Sequence, residues 1–576
     1  MSKTIKRRRL VEKVDVSLPE TNALLKRIYL ARGITSAEEL ERGLKHLPSY
    51  TLLQDIDKAC LLLQQAIEHD EKILIVADFD ADGATSCATL LKGLQMFGAK
   101  HVDYIVPNRF EYGYGLTPEI VAASTDYQAE LLITVDNGVT SHEGVAAAKA
   151  QGMKVIVTDH HLPGESLPEA DAIVNPNRLD DSFPCKELAG VGVVFYLIMA
   201  LRVHLREKDW YAKRGMAEPN IANLLDLVAL GTVADVVPLT HCNRILVAQG
   251  LARIRKGVCS EGVKGMIKVS GRDYSRLVAS DLGFAIAPRL NAAGRLEDMS
   301  LGIECLLAKD SQFAYEMAQQ LDALNHERRE IESQMREQAM EQLDTFMTQN
   351  QDSIKVGLCL YDPDWHQGVI GIVASRVKER FHRPVVAFAQ CDETQLKGSA
   401  RSISGLHIRD TFENIAAKHP GLITKFGGHA MAAGLNIPAE KYEDFCEIFD
   451  QEVQQSLSED ALLDVVLSDG ELSGEEINLK VAETIRQAGP WGQGFPEPVF
   501  DGVFNIVERR IVGEKHLKMT LGCSGGRSVD AIAFNTTDSE WPSNISQVHL
   551  AYRLDINDFR GRRTPQLMVE HVVPLN

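Results

Sequence analysis

Residues 72–83 read KILIVADFDADG, and their reading decides the fold. Lys72–Asp78 is a continuous apolar run that ends in acid, the pattern of a parallel strand buried on both faces. Asp78, Asp80 and Asp82 then follow at alternate positions where the strand gives out. Outward from there, Gly83–Phe97 has helical spacing and His101–Pro107 reads as a second strand. Glu130–Asp136 is a third strand, Ser141–Gln151 a helix and Lys154–Asp159 a fourth strand. Strands and helices alternating at this spacing predict an α/β fold on a mostly parallel sheet. Two helical stretches, Ala189–Glu207 and Ile221–Val237, come next.

Residues 311–350 contain no Gly or Pro and are rich in Glu, Gln, Met, Ala and Leu. They predict one connecting helix, roughly 60 Å long at about 1.5 Å per residue. Lys355–Tyr361 starts a second α/β region that runs to about Leu457. Beyond it the period changes. Asp501–Val507, Lys515–Leu521, Ser528–Ala533, Val548–Ile556 and Gln566–Val572 are short strands separated by turn residues, which suggests a small β-barrel, with an OB-type barrel as one candidate.

At 576 residues the chain is too long for one core, and 45% hydrophobic with 24% charged residues is ordinary globular composition. The most apolar stretch, Ala189–Leu205, is broken by glycines and Arg202 and reads as a core helix, so no membrane partner is expected. The N-terminus has basic residues with no apolar segment behind them, so it is not read as a secretory signal. Ten cysteines stand singly, without a CxxC pair, which argues against a zinc ribbon and a disulfide framework and for a reducing, cytoplasmic location. The net charge of −19 does not exclude nucleic acid, because a basic groove can sit in an acidic whole. Basic clusters occur at Lys6–Arg9, at Arg509, Arg510, Lys515 and Lys518, and at Arg560, Arg562 and Arg563. Each taken alone reads as a solvated face.

The chemistry lies in the first region. Asp136 ends the third strand, Asp159-His160-His161 ends the fourth, and Asp235 follows a helix. In an open α/β sheet the carboxyl ends of the strands share one crevice, where these groups can converge. One such Asp alone would be a helix N-cap. Four acidic or His motifs at element boundaries of one domain are harder to explain so. Two carboxylates about 4 Å apart repel by roughly 4 kcal/mol at an effective dielectric near 20. Such a cluster calls for cations, and carboxylates with imidazole and no thiolate suit Mn²⁺ or Mg²⁺. Two such ions can promote phosphoester hydrolysis.

The order DxDxDG (Asp78–Gly83), VDNG (Val135–Gly138), DHH (Asp159–His161) and GTVADVVPL (Gly231–Leu239) resembles that of the DHH phosphoesterase superfamily. HQGVIGIVASR (His366–Arg376) and GGHAMAAG (Gly427–Gly434) resemble the associated C-terminal domain of that superfamily. PRLNAAGR (Pro288–Arg295), PNRFEYGYGL (Pro107–Leu116), AGVGVVFYL (Ala189–Leu197) and AGPWGQGFPEP (Ala488–Pro498) extend the likeness to single-strand-specific 5′→3′ DNA exonucleases. The implied layout is an N-terminal extension (1–50), a DHH catalytic domain with helical extension (51–310), a connecting helix (311–350), a DHH-associated substrate-binding domain (351–457) and an OB-type nucleic-acid-binding barrel (462–576).

Carried over by motif position, the resemblance implies Asp80, Asp82, Asp136, Asp235 and His160 as metal ligands and His161 as the contact to the scissile phosphate. Asp159 is a ligand or orients the histidines. Superfamily members often have His four residues before the DxD aspartate, where this chain has Val76. Asp78 is then a candidate replacement ligand. Arg289, Arg376, Ser399 and Arg401 match positions that hold backbone or terminal phosphate, while Arg376 on a helix also suits a surface salt bridge. His429 in GGHAMAAG is a candidate phosphate donor and equally suits a structural histidine of a tight turn. Tyr552 and Phe559 are candidate stacking residues of the barrel and equally candidate core residues. The implied reaction releases 5′-mononucleotides from single-stranded DNA during recombination and repair, with Mn²⁺ or Mg²⁺, in a channel too narrow for duplex. A monomer suffices, with a single-strand-binding protein and a helicase as implied partners. Two other readings stay open: a phosphoesterase for small substrates, and a non-catalytic scaffold.

Overall fold

The structure, a computed structural model, describes residues 3–9, 22–107, 115–349, 355–513, 516–523, 526–534, 536, 545–559 and 561–575. It opens with a short strand, β1 (Thr4–Arg7), whose partner comes late in the chain. The first α/β unit holds β2 (Ile73–Ala77), β3 (Val102–Ile105), β4 (Leu131–Val135), β5 (Lys154–Thr158) and β6 (Ala172–Val174). Their order is β3-β2-β4-β5-β6, and every pair is parallel. β2 and β4 are buried at every residue, which is why they read as unbroken apolar runs.

Alternate side chains leave opposite faces. Ile73, Ile75 and Ala77 join a large core with the helices Ile56–Glu68, Ala81–Met96, Gly190–Glu207 and Leu225–Ala234. Val76 and Leu132 point the other way, into a smaller core with Pro118–Ala123 and His142–Ala150. Val76 is therefore wholly apolar in setting. β6 escapes prediction because three residues, AIV, carry no readable period.

The helix Ser311–Gln349 runs 39 residues. Its Ala318, Leu321 and Leu324 belong to the core of the first unit, and its Met335, Ala339 and Leu343 to a core of the second. One rigid element is thus anchored apolarly at both ends. The second unit contains β7 (Leu358–Tyr361), β8 (Val385–Gln390), β9 (Gln395–Arg401), β10 (Lys425–Gly428) and β11 (Ala432–Pro438), in the order β10-β11-β9-β8-β7. Only β7–β8 is parallel; the other pairs are antiparallel.

β12 (Val465–Ser468) follows and pairs in parallel with β1, Thr4 opposite Val465. The barrel is β13 (Phe500–Val512), β14 (His516–Gly522), β15 (Ser528–Ala533), β16 (Gln547–Phe559) and β17 (Arg562–Leu575). It closes in the order β13-β14-β15-β17-β16, with β15–β17 its one parallel contact among the described strands. This is the five-stranded OB arrangement. Tyr552 is fully buried in the barrel interior, so it is core and not a stacking platform. Lys518 pairs with Asp530 at 3.1 Å and Arg563 with Glu483 at 2.7 Å. Lys515, Arg560, residues 108–114 and the Phe559 side chain lie outside what is described.

Two expectations need correction. The basic run Lys6–Arg9 is not merely a solvated face. Arg7 binds Asp501 through Nε at 3.0 Å and Nη2 at 2.9 Å, and Arg8 lies 3.7 Å from Asp469. Asp469 also takes two hydrogen bonds from the buried Arg32, at 2.8 and 3.0 Å. Nor are all the cysteines unpaired: Cys185 and Cys242 form one disulfide, with Cα atoms 6.5 Å apart. Their 57-residue separation hides a contact made only when two distant segments meet. Among the described residues no helix is long and apolar enough to cross a membrane.

Asp501 ties β1, β12 and the barrel. Besides Arg7, it accepts from Ser468 Oγ at 2.5 Å and stands 3.1 Å from His549 Nε2. Burial alone would raise its pKa, but the hydrogen bonds from Arg7, Ser468 and His549 outweigh it and hold the carboxyl at about 2. A depressed acid stabilises the fold fully above its unfolded pKa, about 3.9, and that contribution is lost as pH falls through the folded value. The urea midpoint of the wild type should accordingly drop between about pH 4 and pH 2, and Asp501→Asn should start lower at neutral pH and fall less over that window. An identical pH slope in the two proteins would contradict the assignment.

Candidate active site

The DxDxDG stretch is held by two helix N-termini. Asp80 caps the helix Ala81–Met96, accepting from the amides of Asp82 at 2.9 Å and Gly83 at 3.0 Å. Asp82, fully buried in the first turn, accepts from Gly190 N at 2.7 Å and Val191 N at 3.0 Å. Those are the opening amides of Gly190–Glu207, so the positive end of that helix faces an acid. A Cβ on Gly190 would sit 2.6 Å from Asp136 Oδ1, which requires glycine in AGVGVVFYL. Asn291 of PRLNAAGR accepts from Ala81 N at 2.8 Å and braces the same loop.

Asp136 leaves β4 with φ +62°, a left-handed conformation that Asp tolerates better than most residues. The neighbouring Asn137 carboxamide donates to Val76 O at 3.1 Å and Val135 O at 2.9 Å, fixing the turn to the sheet. Asp159 accepts from Val139 N at 2.9 Å, His160 N at 2.8 Å and His161 N at 3.1 Å, and its Oδ1 lies 2.7 Å from His161 Nδ1. Asn175 and Asn177, just past β6, donate to the carbonyls of His161 at 2.9 Å and His160 at 2.5 Å. Sequence reading missed both, because their only signal is a short VNPN segment after an unrecognised strand.

These elements bring the acids together. Asp82, His160 and Asp235 present ligand atoms within 4.8 Å of one another; so do Asp78, Asp80 and Asp136, and so do Asp136, His160 and His161. His160 Nε2 lies 3.1 Å from Asp136 and 3.6 Å from Asp235. Asp159 stands outside these three groupings. Burial, then the nearby carboxylates, push Asp82 up to about 7 and hold Asp136 and Asp235 well above the usual range. Burial and the neighbouring His161 charge bring His160 down to about 4, so it is a neutral imidazole. Burial would lower His161 too, but its bond to Asp159 and the surrounding acids raise it to about 9. Five convergent carboxylates and a neutral imidazole, with no thiolate, are a donor set for hard divalent cations. Asp78 brings a carboxylate oxygen within 4.8 Å of those of Asp80 and Asp136, whereas Val76 lies on the far face of β2.

The second unit closes over the site. His429, in the β10–β11 hairpin, stacks on His161 with ring centroids 5.7 Å apart and an interplanar angle of 18°. A cleft of about 260 Å³ between the units is lined by Asp80, Arg295, Lys397, Ser399 and Arg401, among others. Arg295 and Lys397 were not singled out in the sequence; basic residues at a cleft between units have no local signature. Arg401 Nη1 donates to Ser399 Oγ at 3.2 Å. Gly371 leaves room for this pair, since a Cβ there would lie 2.8 Å from both side chains. Arg289 and Arg376 do not line the cleft. Arg289 pairs with Asp322 at 2.7 Å, and Arg376 with Glu332 at 2.9 Å and Glu379 at 3.1 Å.

Comparison with known proteins matches this chain to a family. Residues 72–232 match the N-terminal domain of the DHH family, 353–455 the DHHA1 domain and 468–571 the RecJ OB domain. The single-stranded-DNA-specific exonuclease RecJ of Dickeya dadantii is 55% identical over 97% of this chain and 98% of its own. That of Escherichia coli K12 is 50% identical over 99% of both. The crystal structure of RecJ in complex with Mn²⁺ from Thermus thermophilus superposes with a TM-score of 0.78 at 29% identity, covering 96% of this chain and 76% of that one. With identity of this order along nearly its whole length, the chain belongs to the RecJ family of DHH proteins.

Proposed function

We propose that this chain is a divalent-metal-dependent exonuclease that degrades single-stranded DNA 5′→3′ to 5′-mononucleotides in recombination and repair. The observation that carries the reading is the convergence of Asp78, Asp80, Asp82, Asp136, Asp235 and His160 at the strand ends, beside a His161 fixed by Asp159. The six convergent residues would hold two ions, Mn²⁺ or Mg²⁺; Thermus relatives have been crystallised in complex with each. Bound there, such ions supply Lewis acidity and an activated water.

The chain's own residues set the geometry. Asp159 is a positioning residue, its oxygens committed to three amides and one imidazole. With Nδ1 so engaged and the ring protonated at neutral pH, His161 offers Nε2–H to an oxygen of the scissile phosphate. Ser399 and Arg401 bind backbone or terminal phosphate in the cleft, Arg suiting paired phosphate oxygens. Arg289 and Arg376, outside that cleft, would meet phosphates elsewhere along the strand by exchanging their carboxylate partners for them. His429 packs over the reacting end, and the barrel holds the strand beyond it. The protein acts as a cytoplasmic monomer, with a single-strand-binding protein and a helicase as partners.

Digestion of end-labelled single-stranded and duplex DNA, with Mn²⁺ and Mg²⁺ in turn, tests the reading. Release of 5′-mononucleotides from the 5′ end of single strands, stopped by chelation, is expected. Preference for a dinucleotide over a long strand would favour a small-substrate phosphoesterase instead. Asp82→Ala and Asp136→Ala should abolish hydrolysis with the fold intact by circular dichroism; near-normal activity in either would sink the ligand assignment. Gly190→Ala, by crowding Asp136, should weaken Mn²⁺ binding by about 10–100-fold in calorimetry, an effect of the size seen when outer partners of a ligand are disturbed.

A further inference from the structure

The motif AGPWGQGFPEP lies just before the barrel, far in sequence from every acid of the site. Its middle, Gly492–Phe495, is a tight turn in which Gly492 N donates to Phe495 O at 2.9 Å and Phe495 N to Gly492 O at 3.1 Å. The turn docks on the loop that carries Asp235. Leu239 N donates to Gln493 O at 2.7 Å. Gly494 has φ +70°, and a Cβ there would stand 3.1 Å from Pro238 Cβ and 3.4 Å from its Cα. A Cβ on Gly492 would lie 2.7 Å from a methyl of Leu239.

The ring of Phe495 continues the contact. The Arg244 guanidinium lies over it at 4.3 Å, and the same guanidinium donates to Leu239 O at 2.8 Å. Both backbone polar groups of Leu239 are therefore fixed from outside its own loop. The loop needs such bracing, because Val236, directly after Asp235, has φ +63°. A β-branched residue in that region is strained and persists only where its surroundings determine it.

We propose that Gly494 and Phe495 are positioning residues for Asp235, so that the docked turn before the barrel sets the strength of one metal site. Trp491 extends the connection: it stacks on Phe495 at 5.1 Å and packs against both the core of the first unit and the core that the barrel shares with the helix Leu479–Ala488. The segment that reports the barrel's position is thus the one that braces the ligand. The inference rests on the metal-site reading given above.

Mn²⁺ titration of the full chain without DNA, by calorimetry and electron paramagnetic resonance, separates the two. Wild type should bind two ions and Asp235→Ala fewer; a wild type that binds none refutes the metal site itself. Given a wild type that binds, Gly494→Ala should weaken Mn²⁺ by about tenfold or more at one site, with oligothymidylate binding unchanged and the fold intact by circular dichroism. Unchanged Mn²⁺ affinity overturns the inference. Should Gly494→Ala fail to fold, Phe495→Leu decides, since it keeps apolar bulk and removes the ring beneath Arg244. Weaker Mn²⁺ binding with intact oligothymidylate binding supports the positioning role, and wild-type affinity overturns it.

Discussion

Five carboxylates cannot share one crevice as anions unless their charge is balanced, and much of the first unit is arranged to balance it. Asp80 and Asp82 each sit on backbone amides at a helix N-terminus. Asp159, although buried beside the cluster, is kept below the usual carboxylate range by His161 and Val139. Asp82, Asp136 and Asp235 are nonetheless pushed upward by burial and by one another. The unbalanced charge thus concentrates where cations would sit. A cluster of this kind costs stability as apoprotein and favours the ion-bound state through linkage.

That constraint reaches beyond the parallel sheet. The helix Gly190–Glu207 is fixed by what its first turn must do for Asp82, and Gly190 by what Asp136 must avoid. The second unit contributes His429, Ser399 and Arg401 from strands and a hairpin, and the 39-residue helix keeps the two units at a set distance by burying one end in each. Even the stretch before the barrel touches the loop of Asp235. A site at the meeting point of separate layers is sensitive to small displacements, and rigid elements hold it.

Most of the fold is legible in the sequence wherever burial writes a period. The strand around Ile73–Ala77 and the strand Ser528–Ala533 fall where the apolar pattern puts them, and the helix Ser311–Gln349 where a stretch without Gly or Pro does. The acids and histidines are legible because they end strands that are themselves legible. What hides is long-range or backbone-borne. β1 carries a basic run, and its pairing with β12 depends on acids nearly the whole chain away. Tyr552 has the residue type of a stacking platform and the position of core. Asn175 and Asn177 act on carbonyls, and Leu239 is held through its backbone; neither leaves a pattern that periodicity or motif spacing detects. Val76 and Asp78 are intermediate: the departure from the family pattern is visible in the letters, but only the sheet shows Val76 facing away.

The pairing of β1 has a consequence in time. Arg7 and Asp501 are 494 positions apart. Ribosomes emit about 5–20 residues per second, so the first strand waits roughly 25–100 s for its partners to exist. During that interval the parallel sheet, with its own helices, can complete its burial, while a basic edge strand stays unsatisfied. Its charges suit the wait, because cationic edges resist pairing with the wrong strand. β1 can therefore complete its pairing only after the segment that carries Ser468 and Asp501 has been made.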